Sequence, residues 1–154
     1  MKKHFLSALA LAFFTSFLLA DEDGWMTNHA KALEKAKAEK KIVLMDFTGS
    51  DWCGWCIRLD KEIFSQKEFK DYAAKNLVLL KLDFPRKKAL SAELQKQNEQ
   101  LNDKYKVEGF PTVIVLDSEG KQVGQLGYME GGPSAFIAAL KKLKPIDSLD
   151  QFKE

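Results

Sequence analysis

Short, nearly unbroken apolar runs alternate along this chain with longer stretches in which apolar residues return every three or four positions. Residues 42–47 (Ile-Val-Leu-Met-Asp-Phe) are apolar except for Asp46, the pattern of a strand buried on both faces. Residues 77–84 form a second run, interrupted by Lys81 and Asp83. Residues 112–116 predict a third strand, and Ser118-Glu119-Gly120 turns it into a fourth over 121–128, the pattern of a hairpin. Ahead of these, residues 25–40 are rich in Ala, Lys and Glu. Ala32, Leu33 and Ala36 mark one face of an amphipathic helix there, with Thr27 or Asn28 as its cap. A helix is expected to start at Cys53 and run through Leu59 and Ile63, and Ser65 is the expected cap of a further helical piece through Phe69, Tyr72 and Ala73. After a basic turn at residues 85–88, residues 89–105 read as a helix with Leu90, Leu94, Leu101 and Tyr105 on one side. Gly131-Gly132 breaks the chain and Pro133 opens a last helix. Phe136, Ile137, Leu140 and Leu143 face inward on it, and Lys141, Lys142 and Lys144 lie near its negative end. Strands alternating with helices and closed by a hairpin predict a layered α/β domain with a mixed central sheet of about four strands flanked by helices.

The first twenty residues have a different character. Met1-Lys2-Lys3 is a positive start, residues 5–19 are apolar apart from Ser7, Thr15 and Ser16, and Ala20 precedes Asp21-Glu22-Asp23. This is the pattern of a secretory signal peptide cut after Ala20, leaving residues 21–154 as the domain. The run falls short of the ~20 residues a membrane span needs, and an uncleaved anchor is the alternative. Removing residues 1–20 removes Lys2 and Lys3 and no acid, so the mature chain has as many basic as acidic residues and a formal net charge of zero. The mild basicity of the full sequence therefore belongs to the export signal. With no basic stripe interleaved with aromatics, nucleic acid is not an expected partner. The C-terminal Gln151-Phe152-Lys153-Glu154 matches no retention signal, so the periplasm or the cell exterior is the expected location.

Both cysteines of the chain lie in Cys53-Gly54-Trp55-Cys56. A bridge over so short a loop restrains the unfolded chain little, so reactivity explains the pair better than structural support. Two thiols three residues apart on the first turn of a helix can meet in a disulfide. The unpaired N–H groups and positive dipole at the helix start favour a thiolate at Cys53, the form that attacks disulfides. Other readings are a half-site for zinc, copper(I) held by two thiolates, and an inert buried pair. Zinc lacks further cysteines here, and His29 is the only histidine beyond residue 20. Haem attachment needs a histidine after the second cysteine, where Ile57 stands. No metal and no cofactor is expected.

Trp52-Cys53-Gly54-Trp55-Cys56 following the strand Val43-Leu44-Met45-Asp46-Phe47 resembles the thioredoxin active site, and Gly109-Phe110-Pro111-Thr112 followed by Val113-Ile114-Val115-Leu116 resembles the thioredoxin segment that carries a cis-proline. Gly120-Lys121 and Gly127 also fall where that family has them, and the resemblance spans roughly residues 25 to 145. It implies a thioredoxin fold and a thiol-disulfide oxidoreductase. Cys53 would be the exposed nucleophile and Cys56 the buried resolving thiol, the two pairing as a disulfide. Pro111 would be cis, with the Phe110 backbone open to an extended substrate; a plain strand-start proline is the alternative. Asp46 resembles the family's buried carboxylate behind the resolving cysteine, and Lys81 the lysine beside that acid, or else a solvated lysine at a strand end. Gly54, Trp52 and Trp55 complete the expected substrate surface, Trp52 being equally a packing residue.

Two departures stand out. The loop from Thr48 to Asp51 is one residue longer than in thioredoxins, which bears on whether Asp46 reaches Cys56. The dipeptide is Gly-Trp, with no histidine to stabilise the thiolate, which argues for a reductant rather than a strong oxidant. The combination resembles bacterial exported thioredoxin-related proteins. Its expected partners are protein disulfides and a membrane donor of electrons, with the chain acting as a monomer. The competing reading is a thioredoxin-fold binding or chaperone-like module with little redox turnover.

Overall fold

A computed structural model describes residues 24–143. The proposed signal peptide, its cleavage after Ala20, Lys144 and the C-terminal four residues lie outside the described residues. Five strands form one sheet in the order β1-β3-β2-β4-β5. They are β1 (Trp25–Met26), β2 (Ile42–Thr48), β3 (Leu77–Asp83), β4 (Thr112–Leu116) and β5 (Gln122–Leu126). β1 and β2 run parallel to β3 on its two sides, β4 is antiparallel to β2, and β5 is antiparallel to β4. The helices are α1 (His29–Glu39), α2 (Gly54–Leu59), α3 (Lys67–Asn76), α4 (Ala92–Lys104) and α5 (Gly132–Leu143), and a π-helical turn, Asp60–Phe64, continues α2. This is the mixed α/β sheet that the hydrophobic pattern predicts, with one strand more.

The extra strand is β1. Residues 25–40 do not form one helix: Trp25 and Met26 pair with Leu79 and Leu80 at the sheet edge, and α1 starts after Asn28, whose Oδ1 accepts the Lys31 N–H at 2.9 Å. Two residues are too few to show a period, and only their pairing with β3 defines them. The expected cap at Ser65 is also corrected. Ser65 closes the π turn and its Oγ donates to Asp60 at 3.1 Å, while Gln66 precedes α3 without a side-chain cap. Similarly, α4 begins at Ala92 rather than Ala89, because Ser91 Oγ accepts the Leu94 N–H at 3.2 Å.

The two faces of the sheet carry two cores. Val43, Met45, Phe47, Val78, Leu80, Leu82, Ile114 and Leu116 point to the side covered by α1 and α4. Leu44, Leu77, Leu79, Val113 and Val115 point to the other side, against Leu59, Ile63, Phe64, Phe69, Phe136 and Leu140. Phe64, Phe69 and Phe136 form a cluster with ring centroids 4.9 to 6.0 Å apart. Strand side chains alternate between faces. Asp46 therefore shares the face of Leu44, and Lys81 that of Leu79, the same side as α2. The β2–β3 register sets Asp46 directly beside Lys81. Sheet parity thus delivers a carboxylate and an ammonium beneath the helix that carries the cysteines.

Candidate active site

β2 ends at Thr48, and the chain must turn at once to start α2. The Trp52 and Cys53 N–H groups both donate to the Gly49 carbonyl, at 3.3 and 2.9 Å. This compact turn absorbs the extra residue of the loop. A side chain at Gly49 has no room: an added Cβ lies 2.5 Å from the Trp52 ring. Asp83 accepts from Ser50 N–H at 3.0 Å and Ser50 Oγ–H at 2.7 Å. Asp51 accepts from the Arg86 and Lys87 amides at 2.9 and 2.7 Å. The Arg86 amide, first among several contacts, holds the Asp51 carboxyl below its usual range. Asp51 therefore ties the basic turn to the cysteine loop.

Cys53 is the N-cap of α2 and is disulfide-bonded to Cys56, with Cα atoms 5.2 Å apart. The Cys56 N–H donates to Cys53 Sγ at 3.2 Å, and the Gly49 N–H points to Cys56 Sγ at 3.5 Å. The expected contrast between an exposed and a buried sulfur is narrow in this disulfide form: Cys53 is 7% exposed and Cys56 3%.

Behind Cys56 is a cavity of about 150 Å³ lined by Asp46, Thr48, Ser50, Cys56, Ile57, Asp60 and Lys81. Asp46 and Cys56 face the same small space despite the longer loop. The cavity has room for water, and Asp46 Oδ1 is buried without a hydrogen-bond partner. Burial raises the Asp46 pKa to about 7; Lys81 pulls it down, while Asp60 and Asp83 push it further up. Lys81 is half-buried, and its Nζ also lies 5.3 Å from the centre of the Trp25 ring.

The Phe110–Pro111 peptide is cis. Thr112 Oγ1 donates to the Gly109 carbonyl at 2.7 Å and braces this loop. Phe110 stacks on Phe84 at 5.0 Å and meets the edge of Trp52 at 6.0 Å. Trp52 is a packed residue: its Nε1–H donates to the Phe84 carbonyl at 2.7 Å, and the Arg86 guanidinium lies 3.7 Å over its ring. Trp55 is 55% exposed and stands apart from Trp52, with Tyr128 and Arg58 as its neighbours. Gly54 is open, and an added Cβ there meets nothing within 4 Å.

Asp60, which the sequence places near the site as a residue that tunes charge or else as a solvated helix face, lines the Asp46 cavity one helical turn beyond Cys56. One participant escaped the sequence reading. Tyr128 reads as the end of a strand and carries no motif; only the fold brings it to Trp55. His29, the remaining histidine, belongs to α1 on the other face of the sheet, its backbone bonded to Gln97 of α4. Among the described residues no cluster of His, Cys, Asp and Glu is arranged to hold a metal.

A sequence profile of the thioredoxin-like domain matches residues 29–144. The chain is 40% identical over 114 residues to the disulfide bond reductase DsbH of Chlamydia pneumoniae, covering 74% of this chain and 69% of that protein. A solved structure of a DsbH oxidoreductase superposes with a TM-score of 0.73 at 39% identity, covering 77% of this chain and 82% of that one. The thioredoxin-related protein DsbJ of the same organism is 27% identical over 108 residues. The chain matches 31% of DsbJ's length with 70% of its own.

Proposed function

The chain belongs to the thioredoxin-like family, and from that premise we propose that it reduces disulfides in other proteins through Cys53 and Cys56. The observation that carries this reading is the Cys53–Cys56 disulfide at the start of α2, with Cys56 lining the Asp46 cavity and Trp52, the neighbour of Cys53, packed against Phe110 of the cis-proline loop. In the reduced protein, the Cys56 N–H that faces Cys53 Sγ, together with the helix start, favours the Cys53 thiolate. That sulfur attacks a substrate disulfide. One substrate sulfur leaves as a thiolate and takes up a proton, and the other is joined to Cys53 in a mixed disulfide. Cys56 then gives its proton to Asp46, directly or through a water in the cavity, and attacks Cys53. The second substrate sulfur leaves, the Cys53–Cys56 bond forms, and two electrons have passed to the substrate. A carboxylate titrating near neutrality suits the role of acceptor. Lys81 attracts the charged form of Asp46. The Phe110–Pro111 loop, Gly54 and Trp55 receive the substrate chain, and Trp52 supports that surface by packing.

The reductase name of the 40% identical relative and the absence of histidine between the cysteines support the reducing direction. The N-terminal pattern supports export to the periplasm with residues 1–20 removed, and a monomer is the default reading of oligomeric state. A reductant there needs its own disulfide reduced again, and a membrane thiol donor meets that need. Insulin reduction driven by a dithiol tests the activity: the parent accelerates it and Cys53→Ala does not. A parent rate equal to the uncatalysed rate leaves a binding module as the better account. Equilibration with glutathione tests direction. A potential near about −270 mV is expected, and one near about −120 mV overturns the reducing role.

A further inference from the structure

We propose that Tyr128 and Glu62 are positioning residues that hold Trp55 as a docking ledge for an apolar side chain of the polypeptide substrate, beside the cysteine that the substrate offers for exchange. The inference rests on the dithiol reading of Cys53 and Cys56. Trp55 and Ile57 are the exposed large hydrophobic residues among those described. An indole exposed between the two cysteines gives a partner a large apolar surface with a polar N–H at its edge.

The Trp55 indole is exposed yet held in place. The Tyr128 ring lies 5.2 Å away, tilted by 45°. The Arg58 guanidinium covers both rings, 5.3 Å from the centre of Trp55 and 4.9 Å from that of Tyr128. Glu62 fixes both supports, accepting the Arg58 Nε–H at 2.8 Å and the Tyr128 O–H at 2.6 Å. These two hydrogen bonds hold the Glu62 carboxyl below its ordinary range, and the carboxylate in turn raises the Tyr128 hydroxyl above its own. A ledge built from α2, the π turn and the segment after β5 loses little side-chain freedom when a partner arrives, which favours binding.

Position and charge identify the occupant. Trp55 lies between the two cysteines, so a chain whose disulfide reaches Cys53 passes beside the indole, and Gly54 leaves that approach open. The Arg58 charge is already met by Glu62 in an ion pair. Glu130 adds a further negative charge near Arg58 and Tyr128. With Lys61 also close to Glu62, the charges around the ledge balance, so it offers aromatic area and no net positive charge, which fits an apolar side chain rather than an acidic one.

The test compares insulin with hydroxyethyl disulfide, a disulfide too small to reach the ledge, for the parent, Tyr128→Ala, Tyr128→Phe and Glu62→Gln. With Tyr128→Ala, KM for insulin should rise about three- to ten-fold. With Tyr128→Phe and Glu62→Gln the rise should be about two- to three-fold. For all three, kcat should stay within about two-fold, as should the hydroxyethyl disulfide rate and the reduction potential. An unchanged KM for insulin in the three variants overturns the proposal. So does a parallel loss on both substrates, because the residues then act on the dithiol. A parent that reduces neither disulfide sinks the dithiol reading itself and the ledge with it. Tyr128→Phe retains the ring, so a folding defect confined to Tyr128→Ala leaves the proposal open to refutation.

Discussion

Behind Cys56, toward the sheet, two carboxylates and an ammonium surround a small cavity; at the front, the exposed Trp55 stands beside Tyr128, and Trp52 packs against Phe110 of the cis-proline loop. The rear is set by strand parity, since Asp46 and Lys81 are neighbours in paired strands and have nowhere else to point. The front is set by loops: the turn at Gly49, the Phe110–Pro111 segment and the residues after β5. The rear can take up and release protons but is closed to a polypeptide. The front can meet a polypeptide, and Arg58 there is already paired with Glu62. The division teaches that changes behind the disulfide should alter rate and pH dependence, and changes in front should alter the recognition of substrate.

The largest effect should come from separating the two half-reactions. Cys56→Ala keeps the front and the attacking sulfur but removes the group served by the rear. Turnover of insulin should fall to the uncatalysed rate while mixed disulfides with substrate accumulate, visible as dithiol-sensitive adducts in nonreducing electrophoresis. Failure to accumulate adducts would remove Cys53 as the attacking group. Asp46→Asn should act next most strongly. Turnover should fall about ten- to a hundred-fold, with KM for insulin little changed and the pH dependence near neutrality flattened.

The same variant has a stability signature with a definite sign. The Asp46 pKa is about 7 in the fold against 3.8 for the unperturbed group, so the folded state holds a proton that the unfolded chain releases. The contribution of this carboxyl is fully present below about pH 4 and declines as pH rises toward about 7. Above that it stays low. In urea titrations, Asp46→Asn should therefore match the parent near pH 4 and exceed it by a few kcal/mol above neutrality. A constant difference at every pH would mean that Asp46 is not buried as a neutral acid.

How much of this was legible beforehand follows the same front-to-rear division. β2 and β4 are apolar runs whose only charged interruption is Asp46, and such a run fixes both a strand and the oddity within it. The two cysteines and the Phe110–Pro111 pair carry motif-level signals. β1 was invisible, because Trp25–Met26 is a strand only through its partner β3. The π turn was invisible as well: Leu59 and Ile63 fit an ordinary helix, and the added width appears only where Ser65 N–H reaches back five residues to the Asp60 carbonyl at 2.7 Å. Asp60 at the cavity does not need that turn, since it stands one ordinary helical turn beyond Cys56, and Glu62 stands one turn beyond Arg58. Residues placed by strand parity or by helical spacing could be read from sequence, whereas Tyr128, placed by the path of the chain after β5, could not.

Gly49→Ala probes the hinge between the two sides and should have a smaller effect. The added methyl overlaps the Trp52 ring, which is pinned by its bond to Phe84 and by Arg86 above it. Destabilisation of about 1–3 kcal/mol is expected in denaturant titration, from overpacking alone. Relief by the double change Gly49→Ala with Trp52→Phe would identify the indole as the obstacle. Equal loss in the single and double variants would place the strain in the backbone turn instead.

Arg86→Ala should have the smallest effect and draws the boundary of the front most sharply. Arg86 is exposed, and its guanidinium lies 3.7 Å over Trp52, while the Asp51 contact that anchors this turn is made by the Arg86 backbone and survives the substitution. Only the cation–π contact is lost, worth about 0.5–1 kcal/mol at an exposed site. Stability should fall by that amount, and KM for insulin should stay near the parent value because Trp52 remains held by its bond to the Phe84 carbonyl. Asp51→Ala removes two hydrogen bonds from the same turn and should cost more than Arg86→Ala. If Arg86→Ala instead raises KM as strongly as Tyr128→Ala, the substrate surface extends across Trp52 and is not confined to the Trp55 ledge.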